Sequence, residues 1–121
     1  MKTRHGQVTP YITKDGTEIR ELMHPAVHGA LGARRQSLAE ARLPPGARSL
    51  PHRHGNSEEI YHISAGAGRM MLAGDWFDIA AGDTVVIPPG TDHDLHNTGQ
   101  HTLVVICACS PPYDHDDTAL L

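Results

Sequence analysis

The sequence predicts an all-β domain, a sandwich or small barrel, and three observations carry that expectation. Short runs of apolar and β-branched residues recur at spacings of about ten, Gly and Pro turns separate them, and no helical periodicity lasts beyond two or three turns. A closed or doubled sheet is what protects the many strand edges such a chain would otherwise expose.

Taken in order, residues 1–35 read as an N-terminal arm with edge strands, because the opening stretch is polar and is broken by Pro10 and Gly16. The best helical candidate, EIRELMHPAVHGALGARR, is interrupted by Pro25, Gly29 and Gly32, so helices should be few and short. The barrel is expected over residues 36–112. Its strands read as QSLAEARL before Pro44-Pro45-Gly46, EEIYHIS before Ala65-Gly66, and GRMML before Ala73-Gly74-Asp75. WFDI follows before Ala81-Gly82-Asp83, then TVVI before Pro88-Pro89-Gly90, then TLVVICAC before Pro111-Pro112. Residues 113–121 read as a C-terminal tail or lid.

Composition narrows the function. A chain of 121 residues suits one domain. The net charge of −4, with basic residues scattered rather than striped, argues against nucleic acid as a partner. No apolar run approaches the roughly 20 residues of a membrane span, and MKTRHGQVTP lacks the apolar core of a signal peptide, so a cytoplasmic location is expected. Cys107 and Cys109, at i and i+2 of a strand, share one face and suit a reduced buried pair; a metal-binding C-x-C would need further thiolates or histidines nearby.

Ten histidines are the unusual feature. In LPHRHGNSEEIYHISAG, His52 and His54 project from the same face of an extended strand, about 7 Å apart along the chain, where two imidazoles can converge on one ion. Arg53 points away. Glu58 and Glu59, just downstream, offer a carboxylate that could complete a facial ligand set.

These residues resemble the cupins, whose motifs run G-x5-H-x-H-x(3,4)-E-x6-G and G-x5-P-x-G-x2-H-x3-N. Here Gly46, His52, His54, Glu59 and Gly66 fill the first motif, and Gly82, Pro88, Gly90, His93 and Asn97 fill the second. Choosing Glu58 instead would put Ala65 where the glycine belongs, so Glu59 is the expected ligand and Glu58 its solvated neighbour. The resemblance implies a double-stranded β-helix, or jelly-roll barrel, in which His52, His54, Glu59 and His93 hold one divalent transition metal: Fe, Mn, Ni, Cu or Zn. The turn at Pro88-Pro89-Gly90 would swing His93 back toward the other ligands.

Other polar residues carry weaker expectations. His62, Asp94 and His96 are out of phase with the ligands and should be solvated. Gln36 and Glu40 suit an outer strand face. Tyr61 shares the face of Glu59 and lines the pocket or packs in the barrel. Tyr113 and His115, after the stiff Pro111-Pro112, are candidates for groups that close the barrel mouth, and with Tyr61 they are the candidate catalytic residues.

Four protein ligands on an octahedral ion leave two positions open, which favours chemistry on a small polar organic molecule. The sequence-based preference is an oxygenase. The alternatives are a non-redox isomerase, epimerase or lyase on a sugar-like or keto-acid substrate, and a non-catalytic small-ligand module. A phosphorylated substrate is disfavoured because Arg42, Arg48, Arg53 and Arg69 show no inward aim. A homodimer is expected, since small cupins pair and a second copy would cover exposed strand edges.

Overall fold

A computed structural model describes residues Met1–Leu121. The chain runs through β1 (Tyr11–Ile12), β2 (Glu18–Met23) and a one-turn helix α1 (Pro25–His28) before entering the main barrel. There it forms β3 (Ser37–Leu43), β4 (His52–His54), β5 (Glu58–Ala65) and β6 (Ala67–Leu72). β7 (Asp75–Ala80), β8 (Thr84–Ile87), β9 (His93–His96), β10 (Leu103–Ser110) and β11 (Thr118–Leu120) complete it. No helix is long and apolar enough to cross a membrane.

Two antiparallel sheets face each other. One has the order β1-β2-β3-β10-β5-β8, the other β11-β4-β9-β6-β7. This is the all-β doubled sheet expected from the spacing of the apolar runs and the jelly roll implied by the cupin resemblance, and all six strands read from the sequence are present. The candidate helix over residues 18–35 is mostly something else. Its first part is β2, because Ile19 and Glu21 alternate inward and the strand pairs with β3 from Glu18↔Arg42 to Met23↔Leu38. Only Pro25–His28 is α-helical, with His24 capping it by accepting from the Ala26 amide.

The barrel is packed at one end and hollow at the other, and side-chain size along three strands explains this. The inward positions of β3 run Ser37, Ala39, Ala41, Leu43, from small to large. Those of β10 run Leu103, Val105, Cys107, Cys109, from large to small. Antiparallel register sets Leu43 beside Leu103 and Ser37 beside Cys109, so both small ends coincide. On the other side of β10, Ile63 of β5 meets Val105, while Glu59 meets Cys109. Leu43, Ile63, Met70, Leu103 and Val105 are all nearly sealed from solvent and make the solid end. Where the chain offers alanine and cysteine, nothing fills the space.

The motif residues outside the ligand set act as structural pins. Asn97 donates through Nδ2 to the carbonyls of Leu43 and His101, each at 2.8 Å, and its Oδ1 accepts from the Gly99 amide. Gly66 has φ +84°, and a Cβ there would lie 2.7 Å from the Thr102 carbonyl oxygen, so the β5–β6 turn requires glycine. Asp94, expected to be solvated, is instead completely buried. The segment preceding β4 folds over β9 here: the Ser49 amide donates to the Leu95 carbonyl and the Leu95 amide to Ser49 Oγ, each at 2.9 Å, and Arg48 reaches Asp94 Oδ2 at 2.9 Å while lying over the Trp76 ring. Glu40 is likewise mostly covered, because His5 and Arg42 both bond it, at 2.8 and 2.7 Å.

Segment 113–121 contributes β11, whose residues pair with β4 as Thr118↔His54, Ala119↔Arg53 and Leu120↔His52. Asp117 holds the β4–β5 turn through the amides of Asn56 and Ser57. Lys14, from the β1–β2 turn, donates to the carbonyls of His115 and Thr118, each at 2.9 Å, and ties the two chain ends together at the barrel mouth.

Candidate metal centre and cavity

His52 and His54 come from β4, His93 from the adjacent β9, and Glu59 from β5 in the opposite sheet. β4 and β9 meet at the single pair His52↔His93, which sets these two imidazoles side by side with ring centroids 4.2 Å apart. His54 lies 5.2 Å from His52 and 5.3 Å from His93 on the same measure. One nitrogen from each ring falls within 4.8 Å of the others, and all three side chains are buried. Three buried histidines so placed can hold a metal ion.

Each ring is held from behind. His52 Nδ1 donates to the Leu50 carbonyl at 2.7 Å and His93 Nδ1 to the Thr91 carbonyl at 2.9 Å; a carbonyl can only accept, so both protons are on Nδ1. His54 Nδ1 lies 2.9 Å from Thr118 Oγ1. Because that hydroxyl already donates to the Asp114 carbonyl, it must accept from His54. All three Nε2 lone pairs therefore point inward, toward one another and toward Glu59 Oε1, which is 3.4 Å from both His54 Nε2 and His93 Nε2. His93 Nε2 and Glu59 Oε1 are buried without a hydrogen-bond partner. Converging acceptors with no donor among them are costly unless a cation sits between them. The donor set fits a divalent ion.

Glu59 is also held on its other oxygen, where Cys109 Sγ donates to Oε2 at 3.0 Å. Burial, and after it the Glu59 charge, push the Cys109 thiol far up, so it stays protonated and acts as a donor. Burial also raises Cys107, and both cysteines are free. Burial works against the charge on Glu59, but once the His54 and His93 rings are protonated their contacts more than offset it and hold the carboxyl down at about 2. Burial, helped by the positive field of His93, lowers His52. Glu58 is exposed, as the motif register requires.

The centre opens on the hollow end of the barrel, a space of about 550 Å³ when the open solvent of its mouth is counted, of which about 40 Å³ can be taken by the centres of water-sized molecules. Tyr61 lines it and is fully engaged in the core, with its ring 5.8 Å from that of His93. Tyr113 lines the mouth, 5.6 Å from the His54 ring, and its hydroxyl meets His115 Nδ1 at 2.9 Å. Burial is the main cause that pushes Tyr113 up to about 12. His115 does not reach the cavity; it is exposed and packs against Tyr113 and Tyr11. His62 is exposed and His96 half-buried, both away from the centre.

Sequence reasoning missed Asp15, Glu21 and Thr118. Asp15 sits in the β1–β2 turn, where Thr13 and the Thr17 amide bond its Oδ1, and its Oδ2 comes within 3.3 Å of His52 Nε2. The available signal was the Asp15-Gly16 pair between two strand-like runs, a hairpin mark in a segment read as an arm. Glu21 stands in phase with the inward Ile19, a polar residue on an apolar strand face.

A β-barrel with three buried histidines at its open end, placed so that they could hold a metal ion, defines a recognisable class of small proteins. Comparison with known families makes the class specific: the cupin domain matches residues 39–109, more than half of the chain, and the protein belongs to that family. A relative from Methanocaldococcus jannaschii, the uncharacterized protein MJ1618, is 46% identical across all of this chain and 94% of its own length. The oxalate-binding protein of Thermotoga maritima is 30% identical over 85% of this chain and 88% of its own. Among solved structures, a predicted oxalate decarboxylase from T. maritima superposes with a TM-score of 0.77 at 29% identity, covering 92% of this chain and 99% of that one. The nucleoside dehydratase Pac13 gives a TM-score of 0.78 at 13% identity over 100% of this chain and 90% of its own, a likeness of fold. The activities named among these neighbours are varied, and none of them is an oxygenase.

Proposed function

We propose that this protein is a mononuclear metal-dependent enzyme acting on a small polar organic molecule, with His52, His54, Glu59 and His93 as the ligands. The observation that carries this reading is the set of three outward Nδ1–H bonds, which leaves three inward lone pairs and the unpartnered Glu59 Oε1 facing one point. Bound there, a divalent cation supplies a Lewis acid's positive charge for a substrate oxygen.

Proton-transfer chemistry is the reaction class this cavity supports best. Asp15 Oδ2 faces the centre beside His52 and is placed to take a proton from a bound molecule. Tyr113 keeps its proton at neutral pH and stands at the mouth as a donor linked to His115 and solvent. The wall of Ala39, Ala41 and Leu95 excludes water from one side. A dehydration, isomerisation or lyase step uses such a pair, and the dehydratase among the structural neighbours is consistent with it.

The test has two parts. Wild-type protein should bind one metal per chain, with Glu59→Gln and His93→Ala weakening it by about tenfold or more and exposed Glu58→Gln leaving it unchanged. Equal effects of the two glutamate substitutions would refute the ligand set. The zinc form, assayed without oxygen on hydroxyketones and keto-sugars, should turn over. Activity seen only with a redox-active metal and dioxygen would restore the oxygenase preferred from the sequence.

A further inference from the structure

The cavity has a second polar pole that the metal centre does not use. Glu21 is 4% exposed and lines the cavity; its Oε1 accepts the Tyr11 hydroxyl at 2.7 Å, while its Oε2 is buried without a partner. The Thr17 hydroxyl lines the same space and is also buried and unpartnered. A buried carboxylate oxygen with no donor, on a residue that lines a cavity, is satisfied most directly by a donor from whatever fills that cavity.

Charge sharpens the point. Asp15, Glu21 and Glu59 all line the cavity, and no arginine or lysine does. The arginines close to the site are paired with carboxylates elsewhere, as Arg48 is with Asp94 and Arg53 with Asp92, and Lys14 is engaged by the carbonyls of His115 and Thr118. Three carboxylates outweigh one divalent ion, so an incoming dianion meets net negative charge where screening is weak. A hydroxyl donor satisfies Glu21 without adding charge.

We infer that the cavity selects an uncharged, hydroxyl-bearing ligand that donates to Glu21 Oε2 while its other end reaches the metal, and that it rejects dicarboxylates such as oxalate. This rests on the metal centre proposed above, and it separates the chain from its oxalate-binding relative. Ile19, Ala39 and Ala41 form the apolar wall that covers the ligand's carbon skeleton. Glu21 is then the specificity-determining residue, and Thr17 a second group that the ligand's hydroxyls can reach.

The experiment uses oxalate and three neutral hydroxyketones, dihydroxyacetone, erythrulose and fructose. Each is titrated calorimetrically into the nickel-loaded full chain and followed by thermal shift in the metal-free chain. At least one hydroxyketone should bind, and Glu21→Gln should weaken it by about tenfold while strengthening oxalate by about fivefold. Tyr11→Phe keeps the charge and should leave oxalate unchanged. Thr17→Val should weaken the hydroxyketone alone, and it serves as the decisive variant should Glu21→Gln fail to fold. Binding of none of the hydroxyketones, or oxalate affinity that is equal in wild type and Glu21→Gln, overturns the inference. Nickel stoichiometry, measured first, keeps the two readings apart. If nickel does not bind, the metal-site reading fails, and the hydroxyketone shift of the metal-free chain, with its loss in Glu21→Gln or Thr17→Val, still decides this one.

Discussion

Replacing Thr118 by Val tests the way the third histidine is held. The substitution keeps the shape of a side chain that is 4% exposed, and it removes the oxygen that accepts from His54 Nδ1 at 2.9 Å. Two outcomes are open to His54, itself buried. It can keep its proton on Nδ1 and leave that donor unsatisfied, which costs about 1–3 kcal/mol. Alternatively it can move the proton to Nε2, where Glu59 Oε1 lies 3.4 Å away and accepts. The second state spares the metal-free protein most of the loss, but its Nε2 has no lone pair to offer. Binding metal therefore restores the unsatisfied donor, and at 1.4 kcal/mol per tenfold the affinity should fall by roughly 10–100-fold. Metal-free stability should fall by only about 1 kcal/mol, a shift of roughly 4 °C in melting. Thr118→Ser should restore both. Calorimetric metal titration and thermal unfolding of the two variants make the check. If Thr118→Val binds metal within twofold of wild type, the assignment of the His54 proton is wrong.

Acid should unfold the metal-free protein in two stages. His52 is lowered from an ordinary value of 6.5, and Glu59 from 4.5 to about 2. In each case the unfolded chain binds more protons, so stability is present above the ordinary value and is lost as pH falls toward the folded one. The first loss begins near pH 6.5; the second, between about 4.5 and 2, amounts to roughly 3 kcal/mol at most. Melting that does not change between neutral pH and pH 3 would contradict this. Gly66→Ala should destabilise by about 2 kcal/mol or more, since its Cβ meets backbone at positive φ, whereas Gly74→Ala, at φ +87° in open space, should cost only about 1 kcal/mol; denaturant titration of both separates them. A homodimer should bury the exposed Leu38, Ile60 and Val86, which line up across β3, β5 and β8 on the outer sheet face, and light scattering giving a mass near 13.1 kDa would exclude it.

The strands of the barrel were legible because each is short, alternates or runs apolar, and ends at Gly or Pro, features that act within a few residues. Glu18–Met23 was misleading: its apolar residues suited a broken helix until β3 supplied a pairing partner. Asp94 was misjudged for a related reason. Its phase does put it on the outer face of β9, but Arg48 reaches it there from elsewhere in the chain while lying over the Trp76 ring.

The sequence by itself marked the candidate ligands: the His52-x-His54 pair and the nearby glutamates point to a metal site by residue type, and the resemblance to the cupin motifs singles out Glu59 and adds His93. It also carries the small side chains, the alanines of β3 and the cysteines of β10, at one end of each strand. Only the tertiary structure decided that those two small ends meet, since that depends on the register Ser37↔Cys109 between strands far apart in the chain. Only the fold could place Asp15 and Glu21 in the cavity and Thr118 behind His54, for these residues come from the two chain ends. Their roles arise from long-range pairing, β2 on β3 and β11 on β4, and no local periodicity encodes which distant group an inward side chain will face.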